Sequence, residues 1–403
     1  TWPNEACYSM AIKGKNMDTW SRRKFLKTAA AACSGLILPG AMPSFSRQTP
    51  LKLGYLPITD ATPLLVAHGL GYFSQEGLEV ERPVMVRSWK ILVESFLAGK
   101  FNLTHMLFPI PVWMRFKQNI PVKVLACDHT NGSAITVRGD SGIYNFSDLG
   151  GKQVAVPSWY SMHNLILQLG LQTQGLTPVI KSQSAKLSPN EVNLFILSPP
   201  DMPTALLGKR IDAFIVADPF NALAQEKFNA RIMRFSGDIW KNHPCCVIVA
   251  NENMIRQNRI MMQKAMNAIV RAQAWCQKNP KETAHLISRD GEGYLPVPEK
   301  VLARVFAPPA RSELVHPHWD VARIGFQPFP FPSATRFIVE QMKQTRVEGD
   351  TGFLASLDAG AATEALVDDT FVKKAIAEMG GIYKFCDCSI ETPFSREEIV
   401  EIN

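Results

Sequence analysis

Past residue 46 the chain has no run of about 18 consecutive apolar residues, so no membrane-spanning helix is expected there. It has no low-complexity tract and no short-period repeat, which excludes fibrous and solenoid architectures. It has little excess charge. Residues 1–46 carry six basic and two acidic residues, so without them the net charge falls from +7 to +3. A nucleic-acid partner would call for a concentrated basic face, and none is expected. Cysteine is sparse, eight residues in 403, and no two stand in the Cys-x-x-Cys spacing of a zinc knuckle.

The N-terminus carries the most specific local signal. Ser21-Arg22-Arg23-Lys24-Phe25-Leu26-Lys27 precedes an apolar stretch from Ala29 to about Phe45. A basic segment, a modest apolar segment and small residues form an export signal. The paired arginines followed by Phe-Leu-Lys fit the twin-arginine form. Ser44-Phe45-Ser46 places cleavage after Ser46. Gly35, Pro39, Gly40 and Pro43 break the apolar run too often for a good span of roughly 20 residues. Cys33, after three alanines, is an alternative lipid-attachment point, so membrane association stays open. The exported part then holds Cys127, Cys245, Cys246, Cys276, Cys386 and Cys388, an even set that permits disulfides. Buried or disulfide-linked thiols are the expectation; no metal site and no cofactor are expected.

The remaining chain is long enough for two domains. Leu51–Tyr55 reads as a first strand, and Thr62-Pro63 opens a helix to about Gly69. A strand over Glu79–Val84, a helix over Trp89–Ala98, and strands at Leu103–Met106, Val122–Cys127 and Ala134–Val137 follow. This alternation marks an α/β domain with a largely parallel sheet. The pattern restarts at Asp148-Leu149-Gly150-Gly151-Lys152-Gln153-Val154-Ala155-Val156, where the glycine pair reads as a flexible crossover. A helix from Met162 to about Thr173, a helix after Pro199-Pro200, a strand over Ile211–Ala217 and a strand near Cys246–Ala250 complete a second lobe. A long helix over Asn258–Gln277 returns to the first. The expected division is residues 47–153 plus 248–403 for lobe 1 and 154–247 for lobe 2, hinged near 152–156 and 246–250.

Several strings in order carry a family resemblance: Gly54-Tyr55-Leu56-Pro57-Ile58-Thr59-Asp60-Ala61, Ser88-Trp89, His105-Met106-Leu107, His129-Thr130-Asn131-Gly132, Met162-His163-Asn164-Leu165, Asp218-Pro219-Phe220-Asn221, and Gly237-Asp238-Ile239-Trp240-Lys241-Asn242-His243-Pro244. From about Leu51 to Gly349 the chain resembles the nitrate/bicarbonate branch of the nitrate-sulfonate-taurine solute-binding proteins of ABC transporters. The resemblance implies a two-lobed type 2 periplasmic-binding-protein fold and a binding protein rather than an enzyme. It implies a small polar or anionic solute in the interlobe cleft, a permease partner in the cytoplasmic membrane, a periplasmic location and a monomer. Two other readings stay open: an enzyme like the pyrimidine-synthesis proteins of thiamine metabolism, and a nitrate-responsive sensor.

In such a clamp the ligand sits beyond the carboxyl ends of the strands, where helix N-termini favour anions. The candidate ligand-binding residues are Thr59, Asp60, Trp89, Asn131, Ser133, His163, Asp218 and Cys246, with no catalytic residue. The resemblance also marks departures. Nitrate-type relatives carry Gln at the position of Ser133 and Lys at that of Cys246. Losing that lysine removes a full charge from the expected site.

Overall fold

The computed structural model describes residues 50–315, 322–387, 389 and 391–402. The export signal, its cleavage point, Cys33 and Cys388 lie outside them. Among the described residues, no helix is long and apolar enough to cross a membrane.

Two sheets organise the described chain. The first comprises β1 (Leu53–Tyr55), β2 (Val84–Met85), β3 (Leu103–Leu107), β4 (Val122–Cys127) and β12 (Cys246–Asn251), in the order β2-β1-β3-β12-β4. β12 runs antiparallel between β3 and β4, so Cys246 lies opposite Leu107 and Val247 opposite Cys127. Every residue of β1 and β3 is buried. That matches strands covered on both faces, which show no polar alternation.

The second sheet comprises β6 (Ser133–Arg138), β7 (Gln153–Val156), β8 (Thr177–Val179), β9 (Glu191–Ile196), β10 (Ala213–Ala217) and β11 (Ala230–Phe235), in the order β11-β6-β10-β7-β9-β8. A two-stranded ribbon joins β5 (Thr130–Asn131) to β13 (Ile324–Gly325). The α/β class stands, and the helices over Thr62–Gly69, Trp89–Leu97, Met162–Thr173 and Arg259–Lys278 lie where the sequence pattern puts them.

The crossings between sheets differ from those expected. Ala134–Val137 pairs with β10 and β11 and belongs to the second sheet. Cys246 and Val247, expected in lobe 2, belong to the first. The chain therefore crosses at Gly132 and again through residues 236–245. Gly150-Gly151 is a turn between β6 and β7 of the second sheet, not a crossover. A Cβ at Gly150 would lie 2.1 Å from the Pro189 carbonyl oxygen, so close approach of backbone demands glycine there. The Glu79–Val84 strand shrinks to Val84–Met85.

The first crossing is locally shaped by two left-handed residues, Asn131 at φ 59° and Gly132 at φ 79°. Asparagine and glycine tolerate this region best. The β13 strap packs over it. The Gly132 amide donates to the Arg323 carbonyl at 2.8 Å, and the Asn131 side chain donates to the Ala322 carbonyl at 3.2 Å. The second crossing is latched by the C-terminal tail. The Trp240 indole donates to Glu398 at 2.8 Å, and the Lys241 amide to the Ile399 carbonyl at 3.0 Å.

Arg323 grips the fully buried Asp218 with two hydrogen bonds, Nε to Oδ2 at 2.6 Å and Nη2 to Oδ1 at 2.9 Å. Breaking one half of such a pair strands a buried charge and costs about 3–5 kcal/mol. Arg323→Met should therefore lower the unfolding free energy by about that amount, measured by urea denaturation. Adding Asp218→Asn should recover part of the loss. A change under about 1 kcal/mol in the single variant would mean the pair contributes nothing to stability.

Candidate functional site

The carboxyl ends of β1, β3 and β4 meet the amino end of β12 beneath the crossings. Four side chains with metal-ligating atoms converge there. Asp60 comes from the turn after β1, His129 from just beyond β4, and Cys245 and Cys246 from the start of β12. All four are buried, and their ligand atoms lie within 4.8 Å of one another. Asp60 Oδ2 is the hub. It lies 2.9 Å from His129 Nε2 and accepts from Cys246 Sγ at 3.1 Å and Cys245 Sγ at 3.6 Å.

Adjacent residues of a strand normally face opposite ways. Cys245 escapes this by preceding the strand. Its carbonyl accepts from the Phe108 amide at 3.0 Å and its amide reaches the His129 carbonyl, so both thiols turn toward Asp60.

The second sheet contributes a lid. Ser133, the first residue of β6, places Oγ 2.8 Å from His163 Nε2 and 3.8 Å from Cys245 Sγ. His163 is the second residue of its helix, which Ser161 caps by accepting the Asn164 amide at 3.0 Å. Behind the cluster, His105 Nε2 accepts the Leu56 amide at 3.0 Å. Its other ring nitrogen faces Asp128 Oδ2 at 3.9 Å. The Trp89 indole lies edge-on to the His105 ring, centroids 5.6 Å apart. Gln273 of the long helix donates to the carbonyls of Cys127 and Asp128 at 2.8 and 2.7 Å, fixing the backbone that carries His129.

Burial sets the electrostatics. It raises the carboxyls of Asp60 and Asp128, against the downward pull of His129. Burial alone would lower His129, but Asp60 and Cys245 beside it leave the net shift upward. The two thiols part. Burial opposes ionisation of both, yet hydrogen bonds and the nearby histidines draw Cys245 down, while Cys246 is pushed up beside Asp60 and Cys245. His105 is held down to about 3 by burial and by His129.

The expected residues thus divide. Asp60, Ser133, His163 and Cys246 come together, with Trp89 as a wall behind His105. Thr59 does not face the cluster: its hydroxyl and amide donate to the Asp218 carbonyl at 3.0 and 2.8 Å. Asp218 is taken up by Arg323, and Asn131 by the strap. His129 and Cys245 sit at the centre, although neither was among the expected site residues. Their signal was an adjacent cysteine pair and a histidine at a strand end. Only the fold shows that they meet.

These features define a two-lobed binding-protein fold with a polar cluster between its sheets. The NMT1-like family model matches residues 45–289, and the chain belongs to that family. A nitrate/nitrite binding protein NrtA of Nostoc sp. is 27% identical over 317 residues, covering 66% of this chain and 70% of that protein. The nitrate import ATP-binding protein NrtC of Synechocystis sp. is 26% identical over 56% of this chain, but the match spans only 35% of that longer relative. Two solved structures share the fold. The periplasmic nitrate-binding protein NrtA from Synechocystis has a TM-score of 0.70 at 18% identity, covering 85% of this chain and 92% of that one. A ligand-binding component of an ABC-type import system from Staphylococcus aureus, solved with zinc bound, has a TM-score of 0.64 at 19% identity, covering 81% and 99%.

His243 lies beside the cluster, fully buried, with Nε2 2.9 Å from Ser236 Oγ. Burial lowers it from 6.5 to about 4. A neutral folded histidine loses stability to the protonated unfolded chain as pH falls, here from about 6.5 to about 4. Histidine-resolved NMR at pH 5 should find His243 neutral; a titration midpoint near 6.5 would contradict this environment.

Proposed function

We propose that this chain is the solute-binding component of an ABC uptake transporter, capturing one small solute between its two lobes. It acts as a periplasmic monomer that hands the solute to a permease in the cytoplasmic membrane. The carrying observation is the sealed cluster in which Asp60, Cys245 and Cys246 of the first lobe meet Ser133 and His163 of the second. It sits at strand ends, where open α/β sheets place ligands. The family and the names of the relatives support a small polar solute of the nitrate, nitrite or bicarbonate class. Specificity departs from nitrate, because thiols stand where the resemblance implies a lysine.

The lobes close by small, specific contacts outside the cluster. Gln168 of the second lobe accepts from the Arg346 amide at 2.7 Å and donates to its carbonyl at 2.8 Å. Tyr160 stacks on Trp113, centroids 5.7 Å apart. A solute contacting both lobes favours the closed form by its differential affinity.

Two measurements test this. Titration of the purified protein, followed by its melting temperature, should find one small solute bound per chain. Saturation at about 100 Kd adds about 2.7 kcal/mol of stability. The solute should be recovered unchanged after long incubation; recovering it chemically altered would replace transport with catalysis. In small-angle scattering, Gln168→Ala should shift the solute-free protein toward a larger radius of gyration. Two lost hydrogen bonds of about 1 kcal/mol each disfavour closure roughly 30-fold. An unchanged profile would mean those contacts do not hold the lobes.

A further inference from the structure

We propose that the cleft holds a thiophilic transition-metal ion of the zinc class, ligated by Asp60, His129, Cys245 and Cys246. The inference rests on the reading of this cleft as the solute site and replaces the small anion of the relatives' names with a metal cation as the solute.

The donor set is the first ground. Two sulfurs, an imidazole and one carboxylate are ligands that zinc and its neighbours accept, whereas magnesium and calcium call for oxygen alone. Geometry is the second. A tetrahedral ion with bonds of about 2.0–2.3 Å holds its donors roughly 3.3–3.8 Å apart. Here Asp60 Oδ2 lies 2.9 Å from His129 Nε2, 3.1 Å from Cys246 Sγ and 3.6 Å from Cys245 Sγ. The two shorter of these need to lengthen by only a few tenths of an ångström, and all four donor atoms already lie within 4.8 Å of one another.

Unmet polar atoms are the third ground. Asp60 Oδ1 and His129 Nδ1 are buried without a hydrogen-bond partner, although buried polar groups are nearly always satisfied. His129 Nε2 meets the Asp60 carboxylate at 2.9 Å, and a metal between them would take both as ligands.

Charge is the fourth. Asp60 supplies a carboxylate and the two cysteines lose their protons on binding a metal, so the donor set is anionic toward a cation. The sign favours a cation and disfavours nitrate or bicarbonate. All four ligands belong to the first lobe. Ser133 and His163 of the second arrive over Cys245, where their polar hydrogens can stabilise a metal-bound thiolate. The ion therefore binds to the open first lobe, and closure covers it.

The test uses the full chain, purified under reducing conditions and stripped with a chelator. Zinc titration followed by native mass spectrometry should give one ion per chain. Cobalt should give sulfur-to-metal charge-transfer absorption and the intense visible bands of a tetrahedral site. Calcium and magnesium should not compete. Cys246→Ser and Asp60→Asn should each weaken zinc binding about 100-fold or more, with apo melting curves that remain cooperative. Cys276→Ala removes a thiol distant in sequence and should keep full affinity. No zinc bound, an octahedral cobalt spectrum without charge transfer, or equal competition by calcium would each overturn the metal site. Nitrate or bicarbonate binding to the metal-free protein in place of zinc would also overturn it, while leaving the solute-binding reading intact. Zinc bound at these residues with no lobe closure in scattering would keep the metal site and remove the transport reading.

Discussion

Ionisable groups cannot be taken out of water singly, and the centre of this molecule is built around that constraint. Asp60, His105, Asp128, His129, Cys245 and Cys246 are all sealed from solvent where strand ends from one sheet converge. Each one's protonation depends on its neighbours. Asp60 supports His129, His129 opposes protonation of His105, and Cys245 is drawn down while Cys246 is pushed up. Such a set is stable only with its members in register. The fold supplies that register through β12, which inserts between β3 and β4 and brings the cysteines to the ends of both.

The crossings follow from the same need. Chain passing between sheets must satisfy its own backbone groups, and here it does so with borrowed partners. The β13 strap hydrogen-bonds the first crossing and sends Arg323 down to Asp218. The C-terminal tail pairs with the second through Trp240 and Lys241. Both crossings flank the cluster, so in the proposed clamp an opening of the lobes would expose it.

Much of the fold was legible because its signals are local. Thr62-Pro63 starts a helix, and short, mostly apolar segments mark the buried strands at Leu103–Leu107 and Val122–Cys127. Strands β9 and β11 were not legible. β11 carries Arg231 and Arg234, and β9 carries a buried Asn193, so neither shows a clean period. Sheet membership was harder still. Ser133–Arg138 looks like any buried strand, and only its pairing with β10 and β11 assigns it to the second sheet. The glycine pair at Gly150-Gly151 misled for a related reason: it answers a close contact with Pro189, which no local pattern displays.

The site was half legible. Asp60, Ser133, His163 and Cys246 could be named from motif order, and the structure brings them together. His129 and Cys245 could not, because adjacent cysteines on a regular strand diverge and the sequence separation from Asp60 hides the contact. Thr59, Asn131 and Asp218 were drawn in by position, and each is used for holding the lobes and crossings. The central claim is that a single ion completes the cluster. Anomalous diffraction at the zinc edge from zinc-soaked crystals tests it most directly. One peak bonded to Asp60, His129, Cys245 and Cys246 is the predicted result; no peak there, with an oxyanion found between Ser133 and His163, would contradict it.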